Sequence, residues 1–197
     1  MRTFLKAAAI AAAVTAAPVF AQVAVADLEG AVAQSAAFQG AQNQIKTTYK
    51  TQIDAFNARQ DALAAQLKPL QTELQTMQRN PATQPAAFQA KVTAYQTQEN
   101  KAKEELQRLA APFARPTAYA QAQVSAKLND ALKAAMTAKG IKIVIPPDAT
   151  LAVAPDANLT PEITNQLNTL VKTASITPPA GWQPGQPTTA AAPTQGR

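Results

Sequence analysis

The chain has 197 residues, of which 47% are hydrophobic, only 5% are aromatic and 15% are charged, with a formal net charge of +6. Cysteine and histidine are both absent, which excludes disulfides, thiolate metal sites and any mechanism that needs an imidazole base. The scarcity of aromatic residues argues against one large globular core, and the modest positive charge favours anionic partners without identifying one.

The first 21 residues have the three-part pattern of a secretory signal peptide. A basic start with Arg2 and Lys6 leads into an apolar run, and Val19 and Ala21 provide small residues before the expected cleavage point. The apolar run is too short and too rich in alanine for a membrane span. We therefore expect residues 1–21 to be removed, which lowers the net charge to +4 and leaves the mature protein outside the cytoplasm.

Residues 22–34 predict the first part of a small body. Gln22–Ala26 alternates in the manner of a short strand. Asp27 is predicted to cap a helical turn that runs through Val32, because its carboxylate can accept from free backbone N–H groups. Ser35 is predicted to cap the long helix that follows.

The stretch from Ser35 to Lys139 predicts two long helices that fold back on each other at a turn near residues 80–85. Before the turn, apolar residues recur at the steps of three and four of a heptad seam in which Gln60 fills one position: Tyr49, Ile53, Phe56, Leu63, Leu67, Leu70, Leu74 and Met77. After the turn, the same steps give Phe88, Val92, Tyr95, Glu99, Ala102, Leu106, Leu109 and Phe113.

Folding the chain at the turn brings the two seams together without a slip. Met77 faces Phe88 and Phe56 faces Leu109, and the numbers of facing residues add up to 165 or 166 throughout. A helix of about 45 residues is roughly 65 Å long, so the hairpin of residues 35–116 must project from the body.

Prolines and glycines mark the ends of these helices. Asn80 precedes a proline and is pushed into an extended conformation, which stops the first helix. Pro85 fits the first turn of the second helix. Pro112 and Pro116 are expected to bend that helix where the hairpin meets the body, and Gly140 is expected to end it.

Residues 117–172 are predicted to complete the body. Ile141–Ile145 is a second strand and Leu151–Val153 a third. Thr160 is predicted to cap a final helix whose apolar face carries Ile163, Leu167 and Leu170. Residues 173–197 are rich in Pro, Ala, Thr, Gln and Gly around a lone tryptophan, and we interpret them as a disordered tail.

The body predicted in this way is too small to close a core by itself. Two or three short strands are marginal in water, and their exposed edges need a partner. Another copy of the chain in a closed symmetric ring is the simplest partner, although the number of copies does not follow. The strand residues expected at this contact are Val23, Val25, Ile141, Ile143 and Ile145.

Two stretches carry a family resemblance. The opening Val23–Glu29 and the closing Lys139–Ile145, together with Ser35, the long hairpin and Asp156–Glu162, resemble the Skp/OmpH family of periplasmic chaperones. The resemblance implies an α+β fold in which a long antiparallel coiled-coil hairpin projects from a small β-body, in a jellyfish-like homotrimer. It also implies an ATP-independent holdase in the periplasm that encloses unfolded outer-membrane proteins.

The arms differ from the family pattern in charge. They are rich in Gln, Ala and Thr where the family has many lysines and arginines, so we transfer no lipopolysaccharide site. Basic residues that could contact an acidic client are Lys46, Lys50, Arg59, Lys68, Arg79 and Lys91, although scattered charge more often marks a solvated helix face. An anionic membrane surface is a further partner that this charge allows, whereas nucleic acid is not expected.

The middle of the seam predicts a hinge. Gln60 faces an apolar residue, Glu99 faces Leu67, and Pro69 removes a helical hydrogen bond, so the arms could splay there. Local tolerance in a long surface helix explains the same residues equally well.

Nothing in the sequence predicts catalysis, a metal or a cofactor. Three serines without histidine give no catalytic triad, and the six glycines form no phosphate loop. The predicted function is therefore a holdase chaperone, with a non-catalytic periplasmic coiled-coil adaptor or spacer as the alternative. A tip-docking module like that of efflux adaptors is a third, weakened by the lack of strands for a flanking barrel.

Overall fold

A computed structural model describes residues 23–80 and 84–186. The predicted signal peptide and residues 187–197 lie outside the described residues. The elements in chain order are β1 (Val23–Val25), α1 (Leu28–Gln34), α2 (Ala36–Thr48), α3 (Lys50–Arg79), α4 (Pro85–Ser125), α5 (Leu128–Lys139), β2 (Ile143–Ile145) and α6 (Thr160–Leu170). The described part of the chain is thus mostly helical, with one pair of short strands.

The two strands pair in parallel, with Val23 opposite Ile143 and Val25 opposite Ile145. This confirms the predicted neighbourhood of the two ends of the hairpin. The predicted third strand, Leu151–Val153, is wrong: it has no regular structure and lies between short 3-10 turns. On the other edge of β1 it is Leu159, and not this segment, that bonds to the strand: the Leu159 N–H donates to the Val25 carbonyl at 2.8 Å.

Side-chain caps start the first two helices as predicted. The Asp27 carboxylate accepts from the Gly30 N–H at 2.8 Å and begins α1. The Ser35 hydroxyl accepts from the Phe38 N–H at 3.3 Å and begins α2. These two caps fix the direction in which the chain leaves the sheet.

The first long helix is interrupted once, at Tyr49, which the sequence did not predict. Tyr49 has φ −107° and ψ 21°, outside the helical range, and separates α2 from α3. Its N–H still donates to Ile45 and its carbonyl still accepts from Ile53, both at 2.9 Å, so the helical bonds continue across it. The Thr47 hydroxyl donates to the Asn43 carbonyl one turn earlier, a side-chain bond of the kind that bends helices.

The turn of the hairpin begins and ends at the positions expected from the prolines in the sequence. Asn80 is extended, with φ −95° and ψ 111°, and α4 starts at Pro85. Pro112 and Pro116 lie inside α4, which continues through both. With 41 residues, α4 is about 60 Å long.

The second long helix does not run to Lys139 as predicted, because it ends at Ser125. A turn at residues 126–127 starts α5, whose Ala131 and Ala135 are fully buried against the rest of the body. After this turn, α5 packs on α6. Gly140 ends α5 in the left-handed region, with φ +67°, as the sequence predicted.

The final helix is held by more than its own cap. Thr160 is its first residue and not the predicted N-cap; its hydroxyl accepts from the Asp27 N–H at 2.9 Å and so ties α6 to the start of α1. Asn168 accepts from the Ala36 N–H at 2.8 Å, which satisfies a free donor at the start of α2. Ile163 and Leu167 are fully buried as predicted, whereas Leu170 is 45% exposed.

The core of the body lies where α1, α2, the end of α4, α5 and α6 meet. Its buried members are small or aliphatic with one aromatic ring, and they include Val32, Phe38, Val124, Ile163 and Leu167. Ala31, Ala120, Ala131 and Ala135 are fully buried and let the helices approach closely. The body therefore closes a core by itself, whereas the short strands alone predicted that it could not.

The segment from residue 173 to 186, which we call the C-terminal segment, is packed against the body and not disordered as predicted. Ala174 is buried and Ile176 packs on the core. Trp182 is only 6% exposed. Composition predicted disorder because proline and polar residues dominate, but a few apolar residues at the right places are enough to fix the segment.

Candidate functional site

The surface of the hairpin is the first candidate site, and its seam determines which residues face outward. Leu63 is 3% and Ala102 is 5% exposed, so the predicted facing pair at the middle of the seam is tightly closed. The other apolar seam residues are half-buried. The seam is therefore closed at its middle, at Leu63. Pro69 lies on the same helix, nearer the tip of the hairpin.

Contacts across the hairpin match the predicted register to within one helical turn. Arg59 pairs with Glu105 and Lys91 with Glu73, each within two positions of the predicted facing residue. Phe56 contacts Phe113 edge to face, with ring centroids 5.7 Å apart, where the prediction paired it with Leu109. Helical side chains lean towards the N-terminus of their helix, and in antiparallel helices this brings the two rings together.

Three of the six basic client-contact candidates are engaged by acids of the same arm. Arg59 donates from Nε and Nη2 to the two carboxylate oxygens of Glu105, at 2.7 and 2.9 Å. Lys50 pairs with Asp54 at 2.5 Å and Lys91 with Glu73 at 2.8 Å. These pairs leave less positive charge for an acidic client than the sequence count indicates.

The Arg59–Glu105 pair also shifts ionisation. The hydrogen bonds from Arg59 hold the pKa of the Glu105 carboxyl below its usual value, and those same bonds raise the pKa of Arg59. Both side chains remain about one-third exposed, at 37% and 34%, so solvent screens the pair. The remaining candidates, Lys46, Lys68 and Arg79, have no acidic partner within residues 23–80 and 84–186.

Threonines make the outer half of the arm less polar than its sequence indicates. The hydroxyls of Thr72, Thr76, Thr93 and Thr97 donate to carbonyls four residues earlier, at 2.8 to 3.0 Å. These bonds satisfy the hydroxyls within their own helices. On α3, Thr72 and Thr76 line a shallow and mostly apolar concavity with Pro69, and the charged residues Lys68 and Glu73 border it.

The strand pair is the second candidate surface. Val23 is 41% and Ile143 is 54% exposed, and the two are register partners, so they form an apolar patch on the sheet. Val25 is buried, and Ile141 and Ile145 are half-buried. The structure therefore places two of the five predicted association residues at the surface and the others within or at the rim of the body.

The sequence missed the surface of α4 that holds the C-terminal segment. Arg115, Tyr119 and Gln123 are spaced by four on one face of α4, and all three contact this segment. The lone tryptophan between prolines and glycines was the available signal, since a large aromatic residue in an otherwise polar tail is worth burying.

The described residues contain no group of three or more His, Cys, Asp or Glu side chains placed to hold a metal ion. Within the same residues, every helix is too short or too polar to cross a bilayer.

Comparison with known proteins gives one family. The model of the family described as Outer membrane protein (OmpH-like) matches residues 22–167. Among solved structures, the chain is similar to a Caulobacter crescentus protein described as an OmpH-like outer membrane chaperone, with 16% identity, a TM-score of 0.44 and coverage of 81% of this chain and 90% of that one. No curated protein matches significantly.

Proposed function

Because the chain belongs to the OmpH-like family of outer membrane proteins, we propose that it is an ATP-independent holdase chaperone of the periplasm. Its clients are unfolded outer-membrane proteins, and its active form is a homotrimer in which three arms surround the client. Residues 1–21 act as the signal peptide that delivers it. The observation that carries the proposal is a family match that spans both the body and the hairpin.

The arms hold the client through many weak contacts. Half-buried seam residues, aliphatic threonine methyls and glutamines offer a surface that tolerates many sequences, and avidity from several arms replaces a single tight site. Charge plays a smaller part, because three of the six candidate cations are already paired. Lys46, Lys68 and Arg79 are the cations best placed to meet acidic client residues or an anionic membrane surface.

The holdase activity is tested by light scattering. An unfolded outer-membrane β-barrel is diluted from denaturant with and without a stoichiometric excess of the mature protein. We expect the protein to suppress aggregation without nucleotide. A coiled-coil adaptor or spacer would leave the scattering unchanged, and that result would refute the proposal.

The trimer is tested by mass in solution. Ile143→Asp places a charge on the exposed apolar patch beside Val23, and we expect it to dissociate the oligomer into single chains with intact helix content. Gln78→Asp introduces the same charge near the tip and should leave the mass unchanged. A stable single-copy mass for the unmodified mature chain would contradict the trimer.

A further inference from the structure

The C-terminal segment is bound to α4 chiefly through its backbone. Arg115 donates from Nε to the Trp182 carbonyl at 3.1 Å and from Nη2 to the Pro179 carbonyl at 3.0 Å. Two turns along α4, the Gln123 amide donates to the Ser175 carbonyl at 2.8 Å and accepts from the Ser175 N–H at 3.0 Å. Main-chain groups are common to all polypeptides, so these contacts do not depend on the sequence that is bound.

One side chain of the segment is recognised as well, and it is aromatic. The Trp182 ring packs edge to face on Tyr119 with centroids 5.0 Å apart, and both residues are about 95% buried, at 6% and 5% exposed. The slot beside it is lined by small residues of α4: Ala111, Ala114 and Ala118. Small walls and one facing ring fit a flat aromatic side chain.

We propose that this face of α4, which we call the α4 peptide surface (Ala111, Ala114, Arg115, Ala118 and Tyr119), is a binding site for unfolded client segments that carry an aromatic residue. The chain's own residues 177–186 occupy it in the absence of a client and act as an intramolecular competitor. The inference deepens the proposed holdase function and depends on it. Outer-membrane β-barrels carry girdles of aromatic residues, so their unfolded chains supply segments with the aromatic side chain that the site recognises.

The segment is arranged so that only its outer part need leave. Ala174 and Ile176 are anchored in the body core. Trp182 lies at the end of a turn, in which its own N–H donates to the Pro179 carbonyl at 3.2 Å. Gly181 in that turn has φ +78°, a conformation that glycine adopts without steric cost. Since the anchor remains in place, the competitor stays at high effective concentration and returns when the client leaves.

The seated tryptophan is an imperfect occupant. Its Nε1–H is buried and has no hydrogen-bond partner in the part of the chain that the structure describes, which weakens its binding. A phenylalanine ring has the same apolar character without a donor to satisfy. A phenylalanine of a client segment can therefore replace Trp182 without leaving a buried donor unpaired.

Trp182 is the sole tryptophan of the chain, so its fluorescence reports whether the segment is seated. The mature protein is titrated with a tryptophan-free twelve-residue peptide in which phenylalanine and threonine alternate. We expect a saturable red shift of the emission as Trp182 moves into water. A matched peptide with serine at each phenylalanine should produce no shift, and an unmoved emission on binding of the phenylalanine peptide overturns the proposal.

Removing the competitor should strengthen peptide binding. A chain that ends after Thr177 retains Ala174, Ser175 and Ile176. We expect it to bind a labelled phenylalanine peptide about tenfold more tightly than the full chain does. A tenfold gain corresponds to a site that residues 177–186 of the full chain fill about 90% of the time. In this shortened chain, Arg115→Ala should weaken binding, and Arg108→Ala, which removes the same charge from the same helix, should not. Equal affinities of the full and shortened chains overturn the proposal.

The aggregation assay distinguishes failure of the α4 peptide surface from failure of the proposed holdase function. If both chains suppress aggregation but neither peptide result appears, the α4 peptide surface is refuted while the holdase function stands. If neither chain suppresses aggregation, the proposed function itself is refuted, whatever the peptide binds.

Discussion

The body and the hairpin are built from similar residues but use them differently. In the body, helices pack around fully buried residues such as Val124, Ile163 and Leu167. Along the hairpin, from residue 50 to about 110, only Leu63 and Ala102 are buried in the described residues, and the other seam residues stay half-exposed. Each helix of a two-helix arm buries only one side, so the arm is long but has few fully buried residues. The body is therefore suited to stability and association, and the arm to many weak contacts.

This comparison is tested most strongly by the same substitution in both regions. Leu167→Ala removes a fully buried side chain from α6, and we expect it to lower the free energy of unfolding by about 3 kcal/mol. Leu74→Ala removes a half-buried side chain from the arm and should cost about 1 kcal/mol. Urea unfolding followed by circular dichroism at one protein concentration measures both, and equal losses would break the distinction.

Within the arm, the predicted hinge at Gln60, Pro69 and Glu99 sharpens the comparison further. The closed Leu63–Ala102 contact stiffens the arm there, whereas Pro69 lacks the N–H that would complete its turn. We expect amides near Pro69 to exchange faster than those near Leu74, by up to about tenfold. Hydrogen exchange of the mature protein gives the answer, and amides at residues 58–70 and 97–104 as protected as those near Leu74 would end the hinge hypothesis.

The smallest expected effect concerns pH. The folded pKa of Glu105 is lowered by Arg59, so its contribution to arm stability is present above the unfolded pKa and is lost as the pH falls through the folded one. Base-catalysed amide exchange slows as the pH falls. Amides around Glu105 should slow less than this, because the arm loses stability there on acidification. In Glu105→Gln this extra acid sensitivity should disappear, while amides of α6 serve as the internal reference. Persistence of the extra sensitivity would assign it to another group.

Much of the fold could be predicted because it is local or periodic. The heptad steps gave the hairpin and its register, Asp27 and Ser35 gave two caps, and Asn80 and Gly140 gave two helix ends. Each of these features depends on residues within a few positions of one another or on a repeat that the sequence displays.

The errors share a different cause, because each depends on contacts between distant parts of the chain. Thr160 looked like a cap, but its hydroxyl bonds to Asp27, 133 positions away. Leu151–Val153 looked like a strand, but it pairs with neither β1 nor β2, and the distant Leu159 bonds to the other edge of β1. The C-terminal segment looked disordered because its partners, Arg115 and Tyr119, lie on another element.

The candidate sites were predicted only in part for the same reason. Lysines and arginines can be counted in a sequence, but whether Arg59 is available depends on Glu105 across the hairpin. The strands that carry Val23 and Ile143 could be predicted from their sequence pattern, but the exposure of these two residues among the five named depends on the packing of the body.

In the proposed holdase, most of the protection of the client comes from the projecting arm and not from the body. This claim is tested most directly by a mature chain in which residues 67–98 are replaced by a short Gly-Ser turn, a cut that keeps the register and leaves Leu63, Ala102 and the α4 peptide surface in place. Aggregation of an unfolded outer-membrane β-barrel is followed by light scattering at equal molar amounts of the shortened and full arms. We expect the shortened protein to lose most of its protection. Undiminished protection would contradict this claim.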